Sequence, residues 1–157
     1  MRIQRQIDIS RPPAEVFDYL SHAEYLPEYA TDFDSVERTD GIAPGPNAMY
    51  AYKMTRGAEG TFRHTVWEPN AKLVWEGPPA RSGPGTVAPG GSWELQEVAG
   101  GTRVTLTMAP VPGGLMMLLS PAIARGIRRM LPEALLRLKS RLEMSPDRRH
   151  SHLRTQP

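Results

Sequence analysis

Ile3, Ile7 and Ile9 alternate with Gln4, Gln6 and Asp8, a period of two that predicts a strand with one buried face, ending at Ser10. Ser10-Arg-Pro-Pro-Ala14 then supplies an N-cap residue and prolines suited to a first helical turn. Val16, Phe17 and Leu20 recur at helical spacing, so a short helix is predicted from about 12 to 20. Ser21 to Pro27 reads as a second capped helix, cut off near Pro27. From Phe33 to Met108 the pattern is strand and turn, with strands predicted at 33–39, 48–54, 61–68, 72–77, 92–98 and 102–109. Turn signals stand at Gly41 to Pro46, Pro69-Asn70 and Gly100-Gly101. Between Gly77 and Gly91 nine of fifteen residues are Gly or Pro, which predicts a long loop of the kind that often lies over a site.

After Pro110 to Gly114 the period turns helical. Ile123, Ile127, Met130, Leu131, Ala134, Leu135, Leu138 and Leu142 form one stripe, with Arg125, Arg128, Arg129, Arg137 and Arg141 mostly off it. This is one long amphipathic helix, with a kink expected at Pro132. Residues 145–157 have little to bury and are expected to form a disordered basic tail, leaving one domain over 1–144. The order β, α, α, six strands, long α is that of an α+β domain whose antiparallel sheet is covered by the terminal helix.

The hairpins predict what faces inward. A two-residue turn at Pro69-Asn70 pairs Val66 with Leu73, His64 with Trp75 and Phe62 with Gly77, leaving Arg63, Glu76 and Trp67 on the wet face. A turn at Gly100-Gly101 opposes Trp93 to Met108, Leu95 to Leu106 and Glu97 to Val104, with Glu97 inward at the rim. For the strand carrying Ala48, Tyr50, Tyr52 and Met54, a five-residue connection keeps all four inward, with Tyr52 opposite His64. The concave face then holds Tyr50, Tyr52, Phe62, His64, Trp75, Trp93, Leu106 and Met108, with Met116, Met117 and Met130 available from the helical side. Rings facing flexible Met side chains can enclose a deformable apolar pocket with a few polar tips; the alternative is a filled core.

Composition narrows the chemistry. The 157 residues contain no Cys, which excludes disulfides, thiolate metal clusters and a Cys nucleophile. His22, His64, His150 and His152 offer no metal-ligand spacing on a helix, and no metal or other cofactor is expected. The formal charge of +2 divides into 10 basic and 14 acidic residues over 1–110 and 9 and 3 over 111–157. Sixteen Arg against three Lys reads as compositional habit. No apolar stretch resembles a signal sequence or a membrane span, so a cytoplasmic protein without integral membrane contact is expected. No phosphate loop, nucleophile elbow or dinucleotide fingerprint is present, which removes phosphoryl and hydride transfer from consideration. The arginine-rich helix face invites a nucleic-acid or anionic-membrane reading, but without interleaved exposed aromatics, and with acids through the remaining domain, it reads as a solvated face, so no nucleic acid is expected.

The opening Ile7-Asp-Ile-Ser-Arg-Pro-Pro-Ala-Glu-Val-Phe-Asp-Tyr-Leu20, the Tyr25 to Tyr29 segment, the Gly100-Gly-Thr-Arg-Val-Thr105 hairpin and the final Leu135 to Glu143 helix resemble the START-like SRPBCC superfamily, particularly its polyketide cyclase/dehydrase and lipid-transport branch. The resemblance spans about residues 2 to 143 and implies a helix-grip fold: a seven-stranded antiparallel sheet wrapped round the C-terminal helix, with a cavity between them. Members that cyclise polyketides use an inward Arg on the strand matching Thr61 to Glu68 and a Tyr near the second short helix. In this chain the inward position is His64, Arg63 faces outward, and Tyr29 and Phe33 follow the second helix.

His64 is the sharpest chemical candidate, because an imidazole buried beside Trp75 would stay neutral and could accept a proton or donate to a carbonyl. Tyr50 and Tyr52 could orient a ligand oxygen, while Asp32 and Asp34 read as exposed or capping acids. Three functions remain open. The first is binding of a small hydrophobic, polyketide- or lipid-like molecule by Tyr50, Tyr52, Phe62, His64, Trp75, Trp93, Leu106, Met108 and Met130. The second is a cofactor-independent cyclase or dehydrase with His64 as general acid/base, and the third is an interaction module acting through the basic helix.

Overall fold

The computed structural model describes residues 1–40 and 44–144. The start of the Gly41 turn, the expected disordered tail, His150 and His152 lie outside the described residues. The chain forms β1 (Ile3–Ile9), α1 (Pro13–Ser21), a 3₁₀ turn (Ala23–Tyr25), α2 (Leu26–Tyr29), β2 (Phe33–Arg38), β3 (Met49–Met54), β4 (Glu59–Glu68), β5 (Lys72–Glu76), β6 (Ala80–Ser82), β7 (Gly85–Ala88), β8 (Gly90–Val98), β9 (Gly101–Met108), β10 (Val111–Gly114), a 3₁₀ turn (Leu115–Met117) and α3 (Ser120–Met144). Pro27 does not cut off the second helix as expected but stands in its first turn, where a missing N–H costs nothing.

Seven strands form one antiparallel sheet in the order β1-β9-β8-β5-β4-β3-β2. Its inner face and α1 enclose α3, whose Leu131, Leu135, Leu138 and Leu142 are buried among Val16, Phe17, Leu20, Leu73, Trp93 and Leu106. The seven-stranded sheet wrapped round the C-terminal helix, expected from the resemblance, is observed, and buried side chains occupy the space between them. Pro132 lies inside α3 on its exposed side, so the lost hydrogen bond falls where water can replace it.

The Gly77 to Gly91 stretch is not an unstructured loop. β6 and β7 form a hairpin through Gly83, and β10 pairs with β7 to complete a second sheet of three strands. The partner strand lies more than twenty residues downstream, and Gly and Pro hide the pairing from any local pattern.

Three registers differ from expectation. The Gly100-Gly101 hairpin turns instead at Ala99-Gly100, with Gly100 at φ 83, so Trp93 opposes Leu106, Leu95 opposes Val104 and Glu97 opposes Thr102. That slip is even and leaves each residue on its predicted face, although Glu97 is exposed. β3 meets β4 through four residues, Thr55 to Ala58, rather than five, and Tyr52 faces Gly60 instead of His64, while Tyr50 faces Phe62. The third difference changes a face. The turn after β4 has three residues, Pro69 to Ala71, with Asn70 at φ 63, and a bulge at Thr65 takes up the offset, so Val66 opposes Val74 and Trp67 opposes Leu73. Trp67 therefore points inward, edge-on to Phe17 at 5.3 Å, rather than to the wet face.

Gly91 stands between Trp75 and Met108 in the sheet, where a Cβ would lie 2.2 Å from the Trp75 ring and 2.5 Å from the Thr107 carbonyl oxygen. The indole occupies the space a side chain would need. Gly91→Ala should lower stability by about 2 kcal/mol through overpacking and shift the emission of Trp75, both readable in a urea titration followed by fluorescence.

Candidate functional site

β3 and β4 set Tyr50, Tyr52, Phe62 and His64 on one inward wall. Tyr50 stacks on Phe62 at 5.4 Å, and the imidazole of His64 meets Tyr50, Phe62 and, through the bulge, Trp67 at 5.5, 6.3 and 5.6 Å. β5, β8 and β9 add Trp75, Trp93, Leu106 and Met108, with Trp93 and Leu106 buried and the other two half-buried. Tyr29 of α2 closes on Trp93 at 6.2 Å. Phe33, the other aromatic after the second helix, meets Tyr52 at 5.9 Å. Met130 sits half-buried on α3, outside both apolar clusters, and Met117 is exposed. Asp32 and Asp34 are exposed, and the described residues contain no group of three His, Asp or Glu that could hold a metal ion.

A polar nest is set into this wall. The 3₁₀ turn after α1 brings Glu24 to the ends of β2 and β3, where its Oε1 accepts from Nε and Nη2 of Arg38 at 2.9 and 2.7 Å. Tyr50 donates to the Ser21 carbonyl at 3.4 Å. Burial, and then the nearby Glu24 carboxylate, push the Tyr50 phenol up to about 12, so it is a neutral donor at any physiological pH. His64 is 3% exposed, and burial lowers its pKa to about 4, with Glu24 offsetting part of the effect. Two buried polar atoms in this nest have no hydrogen-bond partner among the described residues: Glu24 Oε2 and His64 Nδ1.

Leaving a buried polar atom unpaired costs about 1–3 kcal/mol, so such atoms are rare and call for a reason. The two orphans come from different elements and belong to one nest. Together they offer a carboxylate acceptor and a neutral imidazole beside apolar ring faces. This suits a guest that is mostly apolar and carries a hydroxyl or carbonyl at one end. Two open grooves of about 280 and 670 Å³ lie elsewhere on the surface, the first beside Ser10 to Pro13 and the β8–β9 turn, the second between α2 and α3.

Sequence reasoning missed Glu24, Arg38 and Trp67. Glu24 looked like an ordinary acid in a capping turn, and only the return of β2 alongside that turn gives it Arg38. Trp67 was misplaced by the bulge.

A family model described as polyketide cyclase / dehydrase and lipid transport matches residues 1–143. The chain belongs to this family. Solved structures similar to this family member share the fold at low identity. The Zhui aromatase/cyclase from Streptomyces sp. R1128 is 11% identical over 91% of this chain and 93% of its own, with a TM-score of 0.73. Protein TTHA0849 of Thermus thermophilus is 17% identical over 90% and 97%, also with a TM-score of 0.73. The di-domain aromatase/cyclase StfQ of the steffimycin biosynthetic pathway is 13% identical over 88% of this chain and 49% of its own, with a TM-score of 0.69. No curated protein matches the sequence. Among the described residues of this polyketide cyclase/dehydrase and lipid transport family member, no helix is long and apolar enough to cross a membrane.

Proposed function

We propose that this chain binds a small hydrophobic molecule, polyketide- or lipid-like, between the concave sheet and α3, with a hydroxyl or carbonyl of the guest against His64 and Glu24. The observation that carries this reading is the pair of unpartnered buried atoms, His64 Nδ1 and Glu24 Oε2, set in a wall of Tyr50, Phe62 and Trp67. Tyr52, Trp75, Trp93, Leu106, Met108 and Met130 would supply the remaining apolar contact. Trp75, Met108, Ile127 and Met130 are half-buried, and in this reading they are the side chains that would part for the guest. The family model and the aromatase/cyclase neighbours support this class of ligand.

A second reading is a cofactor-independent cyclase or dehydrase in which His64 takes or gives a proton at the bound carbonyl compound. It is favoured by the neutral imidazole standing near the Glu24 carboxylate: burial leaves the ring unprotonated and able to accept a proton, as a weaker base than a free histidine. Glu24 would stabilise the imidazolium formed during transfer, and Tyr50 is the nearest phenol to polarise a carbonyl.

The test is native mass spectrometry of the protein purified from its own host, together with melting in the presence of 1,8-dihydroxyanthraquinone or oleic acid. Ligand at a hundred times its dissociation constant should add about 2.7 kcal/mol to folding, a Tm rise of roughly 5–10 °C. Glu24→Gln and His64→Gln should each weaken binding roughly 10-fold. No co-purifying molecule and no Tm change with either probe would overturn the binding reading. Turnover of a polyketide-like probe that survives His64→Gln would overturn the enzymatic one.

A further inference from the structure

Large apolar side chains exposed singly are normal on a soluble protein, but a run of them calls for explanation. Of nine exposed large hydrophobic residues among those described, five fall within nine positions: Val111, Leu115, Met117, Leu118 and Leu119. Leu118 is 78% exposed and Met117 63%, which means these side chains project from the surface. The corner that carries them is anchored on both sides. β10 is paired to β7, and Met116 alone turns inward, filling the space over Gly85. The outward residues are therefore held in place by the small sheet on one side and by α3 on the other.

Charge at the same corner has one sign. The first turns of α3 carry Arg125, Arg128 and Arg129, all exposed and none in an ion pair among the described residues. A helix rises about 1.5 Å per residue, so these guanidinium groups stand within about 15 Å of Leu119 along its axis. Arg81 of β6, in the same small sheet, is also exposed. The sequence has no acidic residue between Glu97 and Glu133. The corner contains no Trp, Tyr or Phe, the rings that typically anchor protein interfaces. Flexible Leu and Met tips bordered by cations suit a fluid anionic surface, in which apolar groups sink to the headgroup boundary and Arg pairs with phosphate.

We propose that the Leu115–Leu119 corner docks this protein on the surface of an anionic lipid bilayer, Leu115, Met117 and Leu118 entering the headgroup boundary and Arg125, Arg128 and Arg129 pairing with lipid phosphate. The contact is peripheral. It stands on exposure and charge alone and does not depend on a guest beside His64.

Vesicle co-sedimentation of the full chain tests it, using phosphatidylcholine alone and an equal mixture with phosphatidylglycerol. The protein should bind the mixed vesicles at about 50 mM salt, release them at about 500 mM, and bind phosphatidylcholine alone at least 10-fold more weakly. Arg125→Gln/Arg128→Gln/Arg129→Gln should lose roughly 100-fold in affinity. Met117→Ser/Leu118→Ser changes only exposed side chains and should lose roughly 10-fold or more while melting as the parent does. Unchanged binding in either variant, or no binding to mixed vesicles at low salt, overturns the proposal. So does a concentration-dependent dimer, abolished by Met117→Ser/Leu118→Ser, in a protein that ignores vesicles, because the corner would then belong to a second copy.

Discussion

Trp93→Ala should lower the stability of the domain by about 3–5 kcal/mol, a fall in Tm of roughly 10–15 °C. Trp93 is 6% exposed and lies where three layers meet: Tyr29 of α2 is edge-on to it, Trp75 is tilted beside it, and it belongs to the buried cluster that holds Leu131, Leu135 and Leu138 of α3. The neighbours come from a sheet, a short helix turn and a long helix, none of which can collapse into the gap without moving the others. The cavity should therefore persist and its cost should add to the lost transfer energy. Trp93→Phe keeps most of the volume and should cost less than half as much. Chemical denaturation of both variants checks the ordering, and an alanine variant within about 1 kcal/mol of the parent would mean the inner layer is not packed as described.

The elements that could be read from sequence were those whose signal is local. Ile3, Ile7 and Ile9 mark a strand face by themselves, and the Leu131 to Leu142 stripe marks the buried side of α3 by its own period. The hairpin slip at Gly100 left the predicted faces intact because alternate residues share a side, so an even error does no damage to the inside-outside assignment. What failed was non-local. The β6–β7–β10 sheet joins segments on either side of β8 and β9, and a Pro/Gly-rich stretch gives no hint of its partner.

The candidate site divides the same way. Tyr50, Tyr52, Phe62 and His64 were placed on one wall by alternation alone, and the structure brings them together. Trp67 escaped because one extra residue at Thr65 reverses everything after it, and no residue type announces a bulge of that kind. Glu24 and Arg38 escaped because their meaning lies in their meeting. An acid in a short turn and an arginine at a strand end are each ordinary, and only the return of β2 beside the turn makes them a buried-facing pair.

His64→Leu should flatten the acid side of the stability profile. The imidazole in the folded chain has its pKa lowered to about 4, chiefly by burial, against an ordinary 6.5 in the unfolded chain. Above pH 6.5 both states are neutral and the residue adds no pH dependence. Between 6.5 and 4 the unfolded chain takes up a proton that the folded chain refuses, so stability falls as pH falls, by about 1.4 kcal/mol for each pH unit and about 3 kcal/mol in all. Below about 4 the folded imidazole protonates and the loss stops growing. Leucine removes this loss, so urea unfolding of parent and variant at pH 7, 5.5 and 4.5 should diverge steadily in favour of the variant. Glu24→Gln should move the other way: without the carboxylate that offsets burial, the imidazole resists protonation further and the loss continues to lower pH. Parallel profiles for parent and His64→Leu would mean the ring is solvated and the nest is open to water. Ligand binding should follow the same titration: a guest held by a neutral imidazole should keep its affinity from pH 7 to about 5. A guest held by a solvent-exposed histidine would change affinity near 6.5.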